Sequence, residues 1–600
     1  MAGATAAAAA AHLPEDDELV GRAYDARLMR RLLRFVLPQR GLLLLSLGLL
    51  GVVSAAELAQ PYLLKLVIDG PVASRTLRGL DLLAGAYAAV LATELFFRFF
   101  QVTVTERIGQ NVVFDLRTRL FAHLQTLSSS YFDRNPVGRL MTRVTTDVES
   151  LSEFFSLEVV TILVDFVKLA AIVAILLWMN VRLALVTLGI VPVLFITSFY
   201  FRQRLRDCYR AVRTRIARIN SALQEAISGM RVVQLFRRER RQAEEFDAIN
   251  SDHRDADMRS VLYDSAFSAA VELVGTVAVG LIIWYGGGSI LRGAMTFGTL
   301  VAFLEYTNRF FVPIRDLSAK YSVLQSAMAS SERIFALLDT ASEIVPPGSP
   351  RPIPDDGGGA IEFRDVWFAY RPGEWVLRGI SFSIAPGERV ALVGATGAGK
   401  SSIIRLLIRL YDAQRGRILV DGVDVRDADL SSLRRRVGIV LQDHYLFQGT
   451  IERNLTLGDP RISPPKARSA AAISGAEGFI LALPKGYEEE VRERGSNFSV
   501  GQKQLLSFAR ALAYDPRILV LDEATSSVDS ETESQIQKAM GRLLAGRTSV
   551  IVAHRLSTVA GCDRIIVIHH GEIREEGTHS QLLQRGELYA ALCRLQFGGS

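Results

Sequence analysis

The stretch RVALVGATGAGKSSIIRLLIRL, residues 389–410, joins an apolar strand to an apolar helix through a glycine-rich turn. Its centre, GATGAGKS at 394–401, has the spacing GxxxxGK[ST] of a phosphate-binding loop. Glycines allow backbone N–H groups to close around phosphate oxygens, and the following helix directs its positive end at them. The stretch therefore predicts a nucleotide-binding α/β domain.

The phosphate-binding loop supplies most of the predicted nucleotide contacts. The Lys400 ammonium is expected to reach the β- and γ-phosphates, and the Ser401 hydroxyl is expected to coordinate Mg²⁺. The other predicted contacts in this segment are Gly394, Thr396, Gly397, Gly399 and Ser402.

A second apolar strand, RILVLDE at 517–523, ends in two carboxylates. Asp522 is placed to hold Mg²⁺ through water, and Glu523 is placed to orient or activate the attacking water. Two acids at a strand end are by themselves an ordinary structural feature. Their occurrence in the same domain as the phosphate-binding loop favours the catalytic interpretation.

The segment NFSVGQKQLLSFARALAYDP (497–516) lies between these motifs and makes the C-terminal half resemble the ATPase domain of the ABC transporter superfamily. FSVGQ (498–502) stands where the family has its LSGGQ signature, a Ser/Gly turn that leads into a helix. In the family this signature closes over the γ-phosphate of ATP held by the opposite subunit. The resemblance therefore implies that Ser499, Gly501 and Gln502 contact ATP, which joins two such domains.

Further positions match the family one by one. Tyr370, in FAYRPGEWVLRGIS, resembles the aromatic residue that stacks on adenine. Gln442, in VLQDHYLFQGTIERNL, resembles the lid-loop glutamine that senses Mg²⁺ and water. SSVD (526–529) resembles the D-loop, and His554, in IVAHRLST, resembles the histidine that senses the γ-phosphate. The candidate sets are Glu523, His554 and Gln442 for catalysis, and Ser401, Gln442 and Asp522 for Mg²⁺.

The N-terminal half contains six apolar stretches, each close to the ~20 residues that a helix needs to cross a membrane. Arginines cluster before the first stretch, between the second and third, and between the fourth and fifth. Because positive charge marks the cytosolic side, both termini and the ATPase domain are predicted to be cytosolic. The stretches lie near 41–59, 81–100, 158–179, 182–200, 266–291 and 298–314, with external turns predicted at 180–182 and 286–293.

The two predicted cytosolic loops have few helix-breaking residues, so we expect long helices that extend past the membrane. YFDRNPVGRLMTRVTTDVESL (131–151) resembles the loop of ABC exporters in which a short coupling helix docks on the ATPase domain. NSALQEAISGMRVVQLFRRE (220–239) resembles its companion segment. The matching positions are Phe132, Asp133, Gly138 and Asp147 in the first loop, and Glu225, Gly229 and Val233 in the second.

These patterns predict an all-α, six-helix transmembrane domain fused to an α/β P-loop NTPase domain. From Ile361 onward, short apolar strands alternate with helices, as in an α/β sheet domain. The predicted divisions are a disordered tail at 1–21, a membrane domain with coupling helices at 22–340, a linker at 341–359 and the ATPase domain at 360–600.

Several ionisable residues lie inside the predicted spans, where a charge is costly. Glu94 and Arg98 are four residues apart, and Asp165 and Lys168 are three apart, so each pair is expected to neutralise on one helix face. Glu272 has no such partner in sequence and is the better candidate to face a substrate cavity. The alternatives for the aromatic residues are that they line that cavity, face lipid or pack against neighbouring helices; these residues are Phe96, Phe97, Phe99, Phe100, Phe310 and Phe311.

Other classes of function are disfavoured by composition. The net charge of +6 comes with arginines that bracket the membrane spans, so a nucleic-acid partner is not expected. The six spans exclude the soluble ABC ATPases of DNA maintenance. Cys208, Cys562 and Cys593 lack metal-ligand spacing, so neither a disulfide framework nor a zinc site is expected.

Six spans fused to the N-terminal side of one ATPase domain resemble a half-transporter of the type IV exporter class. The resemblance implies ATP-driven export of hydrophobic or amphipathic substrates (drugs, peptides or lipids) across a bacterial inner membrane, in contact with membrane lipids. Two alternatives remain open. One is a homodimeric lipid flippase, and the other is an ATP-gated channel or regulator of the same fold.

The signature motif indicates a second, different subunit. Val500 replaces the first glycine of the usual pair, which places a β-branched side chain where backbone approaches phosphate. Arg492, in EEEVRERGS, stands where such exporters often have glycine. The nucleotide-holding motifs match fully, so a partner with an intact signature would complete one competent site. We therefore expect a heterodimer.

Overall fold

A computed structural model describes residues 25–155, 159–354, 356–522, 530–552 and 556–597 of the chain. The chain forms two compact units. The first consists of Met1–Leu124 with Gly138–Thr340, and the second of Gln125–Val137 with Ala341–Ser600. The predicted tail at 1–21 lies outside the described residues.

Within the described residues, helices make up the first unit, apart from short connections. The helices of the N-terminal part of the chain are α1 (Ala26–Val36), α2 (Arg40–Val67), α3 (Leu80–Thr126), α4 (Ser129–Arg134), α5 (Val137–Thr142), α6 (Val148–Glu153), α7 (Val159–Met179), α8 (Val181–Leu188), α9 (Val191–Ser228), α10 (Met230–Leu235), α11 (Glu239–Leu291) and α12 (Phe297–Leu338). Of these, α4 belongs to the second unit.

Every predicted span coincides with helix in the part of the chain that the structure describes. Four helical stretches are long and apolar enough to cross a membrane: Ala26–Val72, Leu80–Thr126, Val181–Ser228 and Glu239–Leu291. Helices α7 and α12 cover the other two predicted spans. With 47 and 53 residues, α3 and α11 are ~70 and ~80 Å long, more than twice the thickness of a hydrocarbon core.

The prediction of an external turn at 286–293 was wrong, because α11 continues to Leu291. A Cβ atom at Gly286 would lie 2.5 Å from Leu300 Cδ1 and 3.1 Å from Met295 Cε. The glycine therefore allows α11 to pack closely beside the start of α12. The turn predicted at 180–182 is shorter than expected, since Asn180 caps α8 by accepting a hydrogen bond from the backbone N–H of Leu183 at 3.0 Å.

The second unit contains a parallel sheet, an antiparallel sheet and a short strand pair. Its strands are β1 (Ile361–Ala369), β2 (Trp375–Ile384), β3 (Arg389–Val393), β4 (Arg415–Val420), β5 (Val423–Asp424), β6 (Val437–Val440), β7 (Gly449–Thr450), β8 (Glu490–Val491), β9 (Ile518–Asp522), β10 (Thr548–Val552), β11 (Arg564–His569) and β12 (Glu572–Gly577). Its later helices are α13 (Lys400–Leu407), α14 (Leu430–Arg436), α15 (Ile451–Thr456), α16 (Pro464–Ile473), α17 (Glu477–Leu481), α18 (Val500–Ala513), α19 (Ser530–Leu544), α20 (Leu556–Ala560), α21 (His579–Arg585) and α22 (Leu588–Phe597).

The larger sheet has the order β12-β11-β3-β10-β9-β6, in which only the edge strand β12 is antiparallel to its neighbour. Its central strands are apolar on both faces because both faces are covered. Alternate residues of these strands, such as Leu519 and Ile551, pack into a core with α16, α18 and α19. The residues between them, such as Val520 and Val550, pack into a second core with the antiparallel sheet β2-β1-β4-β5 and α13.

Two glycines of the antiparallel sheet provide a matched test of its packing. Gly416 and Gly422 both have φ = +81°, a conformation that costs an L-residue about 1–2 kcal/mol. A Cβ at Gly416 would lie 2.2 Å from the carbonyl oxygen of Asp365, whereas nothing lies within 4 Å at Gly422.

We predict that Gly416→Ala destabilises the ATPase unit by more than about 3 kcal/mol, because two strands must separate. Gly422→Ala should cost only the backbone strain. Thermal unfolding followed by the fluorescence of Trp367 and Trp375, which lie in this sheet, measures both variants. Equal unfolding midpoints for the two would contradict the close approach at Gly416.

Candidate active site

The predicted nucleotide-side residues follow strands that end at one edge of the parallel sheet. Strand β3 runs into the phosphate-binding loop, β9 ends at Asp522, and β6 ends two residues before Gln442. Val552, the last residue of β10, is in register with Asp522. Glu523 and His554, which directly follow β9 and closely follow β10 in sequence, lie outside the described residues, as does SSVD (526–529).

The glycines of the phosphate-binding loop are needed for two different reasons, positive φ and close packing against neighbouring strands. Gly397 and Gly399 have φ of +84° and +106°. A Cβ at Gly394 would lie 2.2 Å from the carbonyl oxygen of Ile568, and one at Gly399 would lie 2.6 Å from Leu377 Cδ2. The loop therefore presses against β11 and β2, while Thr396 and Gly397 stay exposed on its outer side.

The Lys400 side chain lies back over the loop that it follows. Its Nζ donates hydrogen bonds to the carbonyl oxygens of Gly394, at 2.7 Å, and Ala395, at 3.0 Å. Burial lowers the pKa of Lys400, and the negative charge of Asp522 acts in the opposite direction. The ammonium is thus held at the position where phosphate oxygens would meet the loop.

The three residues predicted to coordinate Mg²⁺ all lie at or after the ends of strands that end at this edge of the sheet. Ser401 is exposed in the first turn of α13, Gln442 is exposed after β6, and Asp522 is half-buried at the end of β9. Hydroxyl, amide and carboxylate oxygens suit this hard cation, which keeps part of its shell for phosphates and water. In the described ranges no group of three His, Cys, Asp or Glu residues forms a closed protein cage. The residues present therefore fit Mg²⁺ bound together with a nucleotide.

Tyr370 stands beside the phosphate-binding loop, directly after β1. Its hydroxyl lies 3.0 Å from Ser402 Oγ, and its ring is 41% exposed. The ring packs edge-on against Phe368 and Tyr411, with centroids 4.7 and 5.2 Å away. The Arg405 guanidinium donates to the Tyr370 hydroxyl at 3.3 Å. The ring is thus fixed near the loop and remains accessible to a ligand.

Comparison with known proteins agrees with this geometry. A family model described as the ABC transporter transmembrane region matches residues 43–314, and one described as ABC transporter matches residues 377–526. The chain is 38% identical over 527 residues to YheH of Bacillus subtilis, described as a probable multidrug resistance ABC transporter ATP-binding/permease protein, with 87% of this chain and 78% of YheH covered. It is 34% identical over 570 residues to the ATP-dependent lipid A-core flippase of Syntrophus aciditrophicus, with 95% and 94% covered.

A solved structure of a bacterial Atm1-family ABC exporter with ATP bound matches with a TM-score of 0.76 and 29% identity, covering 93% of this chain and 99% of that chain. The chain belongs to the ABC transporter family. The predicted fold class, a helical membrane domain fused to an α/β ATPase domain, is confirmed. This ABC transporter is a membrane protein that binds ATP and couples its hydrolysis to transport.

The signature residues of this ABC transporter begin α18. Ser499 caps the helix by accepting a hydrogen bond from the backbone N–H of Gln502, at 3.2 Å, and the Gln502 side chain accepts one from the backbone N–H of Ser499, at 3.0 Å. Gly501 is buried. Val500 is the first helical residue and is 49% exposed, so the backbone in this structure does not require glycine there.

The first predicted coupling segment is divided between the two units, and its residues 131–137 lie in the same unit as the ATPase domain. The Tyr411 hydroxyl donates a hydrogen bond to the Asp133 carboxylate, and Arg405 Nη1 lies 3.8 Å from Asp133 Oδ2. Ser130 donates to Glu343 at 2.5 Å, and Arg134 pairs with the same carboxylate. These contacts hold α4 next to the residues that fix Tyr370.

Ion pairs inside the membrane spans differ from the sequence prediction. Glu94 and Arg98 pair as expected, with Arg98 Nη1 3.5 Å from Glu94 Oε1. Asp165 and Lys168 do not pair with each other, because each finds a partner on another helix. The partners are Lys320 for Asp165 and Glu57 for Lys168.

The aromatic residues divide into two groups. Phe310 and Phe311 are each 8% exposed within the helical core, so the cavity-lining interpretation is wrong for them. Phe96 and Phe99 are 60% and 67% exposed. Glu272 is exposed and makes no ion pair within the described part of the chain.

Some residues of these sites were missed from the sequence. Arg405 and Tyr411 carry no family motif, and only the fold brings them to Tyr370 and Asp133. Glu57 and Arg309, by contrast, lie inside predicted apolar spans, and a charge in such a span is itself a signal of an interior role.

Removing the Tyr370 ring tests its predicted contact with adenine. We predict that Tyr370→Ala weakens ATP binding about five- to tenfold, because aromatic stacking contributes on the order of 1 kcal/mol. Tyr370→Phe keeps the ring, loses only the hydroxyl contacts with Ser402 and Arg405, and should retain most of the affinity. Equilibrium titration with ATP measures both variants, and the Mg²⁺ dependence should not change. Unaltered affinity in Tyr370→Ala would remove Tyr370 from the site.

Proposed function

We propose that this chain is one half of a dimeric exporter of hydrophobic or amphipathic compounds, among them drugs, peptides or lipids. The observation that carries the proposal is the presence, in one chain, of a helical membrane domain and a complete set of nucleotide-holding motifs. Two relatives support the substrate class, since one is described as a probable multidrug resistance transporter and the other as a lipid A-core flippase.

The ATPase residues act at one edge of the sheet. Backbone N–H groups of the loop at 394–401 and the Lys400 ammonium bind the phosphates. Glu523 orients or activates the attacking water, while Gln442 and His554 report the state of the γ-phosphate. Ser401, Gln442 and Asp522 would hold Mg²⁺, which neutralises charge on the phosphates when bound.

A second, different subunit is proposed to complete the transporter. The full-length sequence resembles TmrA, one subunit of the heterodimeric multidrug exporter TmrAB. The nucleotide-holding side of the chain is intact, whereas Val500 and Arg492 alter the signature side. The half-exposed Val500 side chain projects from the first turn of α18, where an opposing nucleotide would approach. A partner with an intact signature would then form the hydrolytic site with Glu523 of this chain.

A bacterial inner membrane is the proposed location, with both termini and the ATPase domain in the cytosol. The arginine clusters that flank the spans support this orientation. The homodimeric lipid flippase remains the second candidate, favoured by the 34% identity to a lipid A-core flippase. An ATP-gated channel or regulator is less well supported, because both Glu523 and His554 are present for turnover.

Substitution of the proposed catalytic carboxylate separates binding from hydrolysis. We predict that Glu523→Gln leaves ATP affinity nearly unchanged but lowers turnover at least a hundredfold, because the general base or water-orienting group is lost. Lys400→Ala should instead weaken ATP binding, since the ammonium next to the phosphates is removed. ATP binding and phosphate release are measured on the complete transporter. Near-normal turnover in Glu523→Gln would show that the catalytic assignment is wrong.

Expression of this chain without a partner tests the heterodimer. We predict that the isolated chain gives little transport-coupled ATPase activity in vesicles, because both ATP sites would contain the altered signature. Val500→Gly in the same isolated chain should raise activity several-fold if the signature side limits it. A stable homodimer of the unmodified chain with full substrate-stimulated ATPase activity would contradict the heterodimer and favour the homodimeric flippase.

A further inference from the structure

A connected set of polar side chains joins four helices of the membrane unit. We call it the intramembrane network, and it forms contacts that no sequence motif specifies. Its members are Glu57 and Gln60 on α2, Glu94 and Arg98 on α3, Lys168 on α7 and Arg309 on α12.

The first half of the network is ionic and is centred on Glu57. This carboxylate pairs with Lys168, and its Oε1 lies 3.9 Å from Arg98 Nη1. The same Arg98 nitrogen lies 3.5 Å from Glu94 Oε1. Two carboxylates from α2 and α3 are therefore held by cations from α3 and α7.

The second half closes the network through an amide. Gln60 donates a hydrogen bond to Glu94 and accepts one from Arg309 Nη2 at 2.7 Å. Arg309 also donates to the backbone carbonyl oxygen of Glu57. The Arg309 guanidinium is thus bound to neutral acceptors, and the network has three cations for two carboxylates.

Four members of the network lie deep inside the membrane spans, whereas Arg98 lies two residues from the cytosolic end of the predicted span 81–100. Glu57, Glu94, Lys168 and Arg309 are between eleven and fifteen residues from the helix ends predicted to be external. At 1.5 Å per residue this is a depth of ~16–23 Å, near the middle of a bilayer whose hydrocarbon core is ~30 Å thick.

The charged side chains of the network differ in how much of their surface is exposed. The side chains of Glu94, Glu57 and Lys168 are 14%, 18% and 19% exposed, whereas that of Arg98 is 60% exposed. Within the described residues, the only hydrogen bond of Arg98 is the one to Glu94. A guanidinium has five N–H donors in a fork that matches oxyanions. Arg98 lies 18 residues from the start of α3, ~27 Å along the helix. Its guanidinium is therefore near the cytosolic edge of a hydrocarbon core ~30 Å thick, where an exposed charge is stabilised by an anion or by water.

The surface around Arg98 is apolar. Leu91, Leu95 and Val102 lie seven and three residues before and four residues after it, so they share its face of α3. They are 36%, 69% and 47% exposed. The result is one cation in an apolar strip, which complements a molecule with one anionic head group and an apolar body.

Neighbouring charges do not remove this excess of positive charge from the network. Asp165 and Lys320 neutralise each other on α7 and α12. Glu305, one turn before Arg309, is exposed and makes no ion pair within 4 Å in the described part of the chain. It therefore does not belong to the network.

We infer that the face of α3 around Arg98 is a substrate site for amphiphiles with an anionic head group, a carboxylate or a phosphate. The oxyanion would accept hydrogen bonds from the free N–H groups of Arg98, and the chain would lie along Leu91, Leu95 and Val102. This inference rests on the proposed function and narrows it to one charge class of substrate.

The test compares amphiphiles with the same twelve-carbon chain and different heads on the complete transporter in nanodiscs. The probes are dodecanoate, dodecyl phosphate and dodecyltrimethylammonium, and the readout is the concentration that half-maximally stimulates ATP hydrolysis. We expect Arg98→Gln to raise this concentration at least tenfold for the two anions and to leave the ammonium probe within twofold. A difference between dodecanoate and dodecyl phosphate separates carboxylate from phosphate substrates.

Two further variants keep the test decisive if Arg98→Gln folds poorly. Glu94→Gln adds one net positive charge to the network and should lower the half-stimulating concentration of the anions at least threefold. Arg182→Gln removes the same charge as Arg98→Gln, but in the first turn of α8, next to the end predicted to be external, and should change nothing. Equal shifts for anions and ammonium, or no shift with Glu94→Gln, would overturn the inference.

Other outcomes are also distinguishable. If dodecyltrimethylammonium or neutral amphiphiles are transported and anions have no advantage, the inference fails and the proposed function stands. If no amphiphile of any charge stimulates hydrolysis or is transported, the proposed function fails. If Arg98→Gln dissociates the dimer while probe preference is unchanged in the dimer that remains, this face is a subunit interface and the inference is wrong.

Discussion

The ATP site of this transporter depends on parallel strands that end at the same edge of one sheet. Because β3, β9, β10 and β6 run in the same direction, the residues that follow each strand lie along the same edge of the sheet. A parallel sheet needs both faces covered, so its strands are apolar until they end. The change from buried apolar to polar residues therefore falls at the edge where the phosphates are predicted to bind.

The packing of the sheet also explains why two positions of the predicted phosphate-binding loop require glycine. Gly394 and Gly399 leave no room for a side chain against neighbouring strands, and Gly399 also has positive φ. The buried Lys400 then lies over the loop, with its charge partly balanced by Asp522 on β9. Binding chemistry and packing of the sheet are thus carried by the same few residues.

The membrane unit resolves a different conflict, between buried charge and an apolar surrounding. Pairing within one helix keeps the backbone free of long-range constraints, whereas pairing between helices fixes their relative positions. The structure uses the second solution for Lys168 and Asp165, whose partners lie on α2 and α12. Arg98 is the exception, because its guanidinium remains largely exposed. The proposed binding of anionic head groups rests on that exposure.

The sequence by itself determined the two-part organisation and the positions of the helical spans, and it predicted the nucleotide-holding residues. These follow from local features: apolar length, strand–turn–helix spacing and motifs whose members are close in the chain. It did not reveal that α11 continues through Gly286. The glycine is needed there because the Leu300 side chain of the next helix packs against it. It also missed the Glu57–Lys168 pair and the contacts of Arg405 and Tyr411, which join residues 111 and up to 278 positions apart. Such contacts depend on how helices and strands pack, and only the tertiary structure decided them.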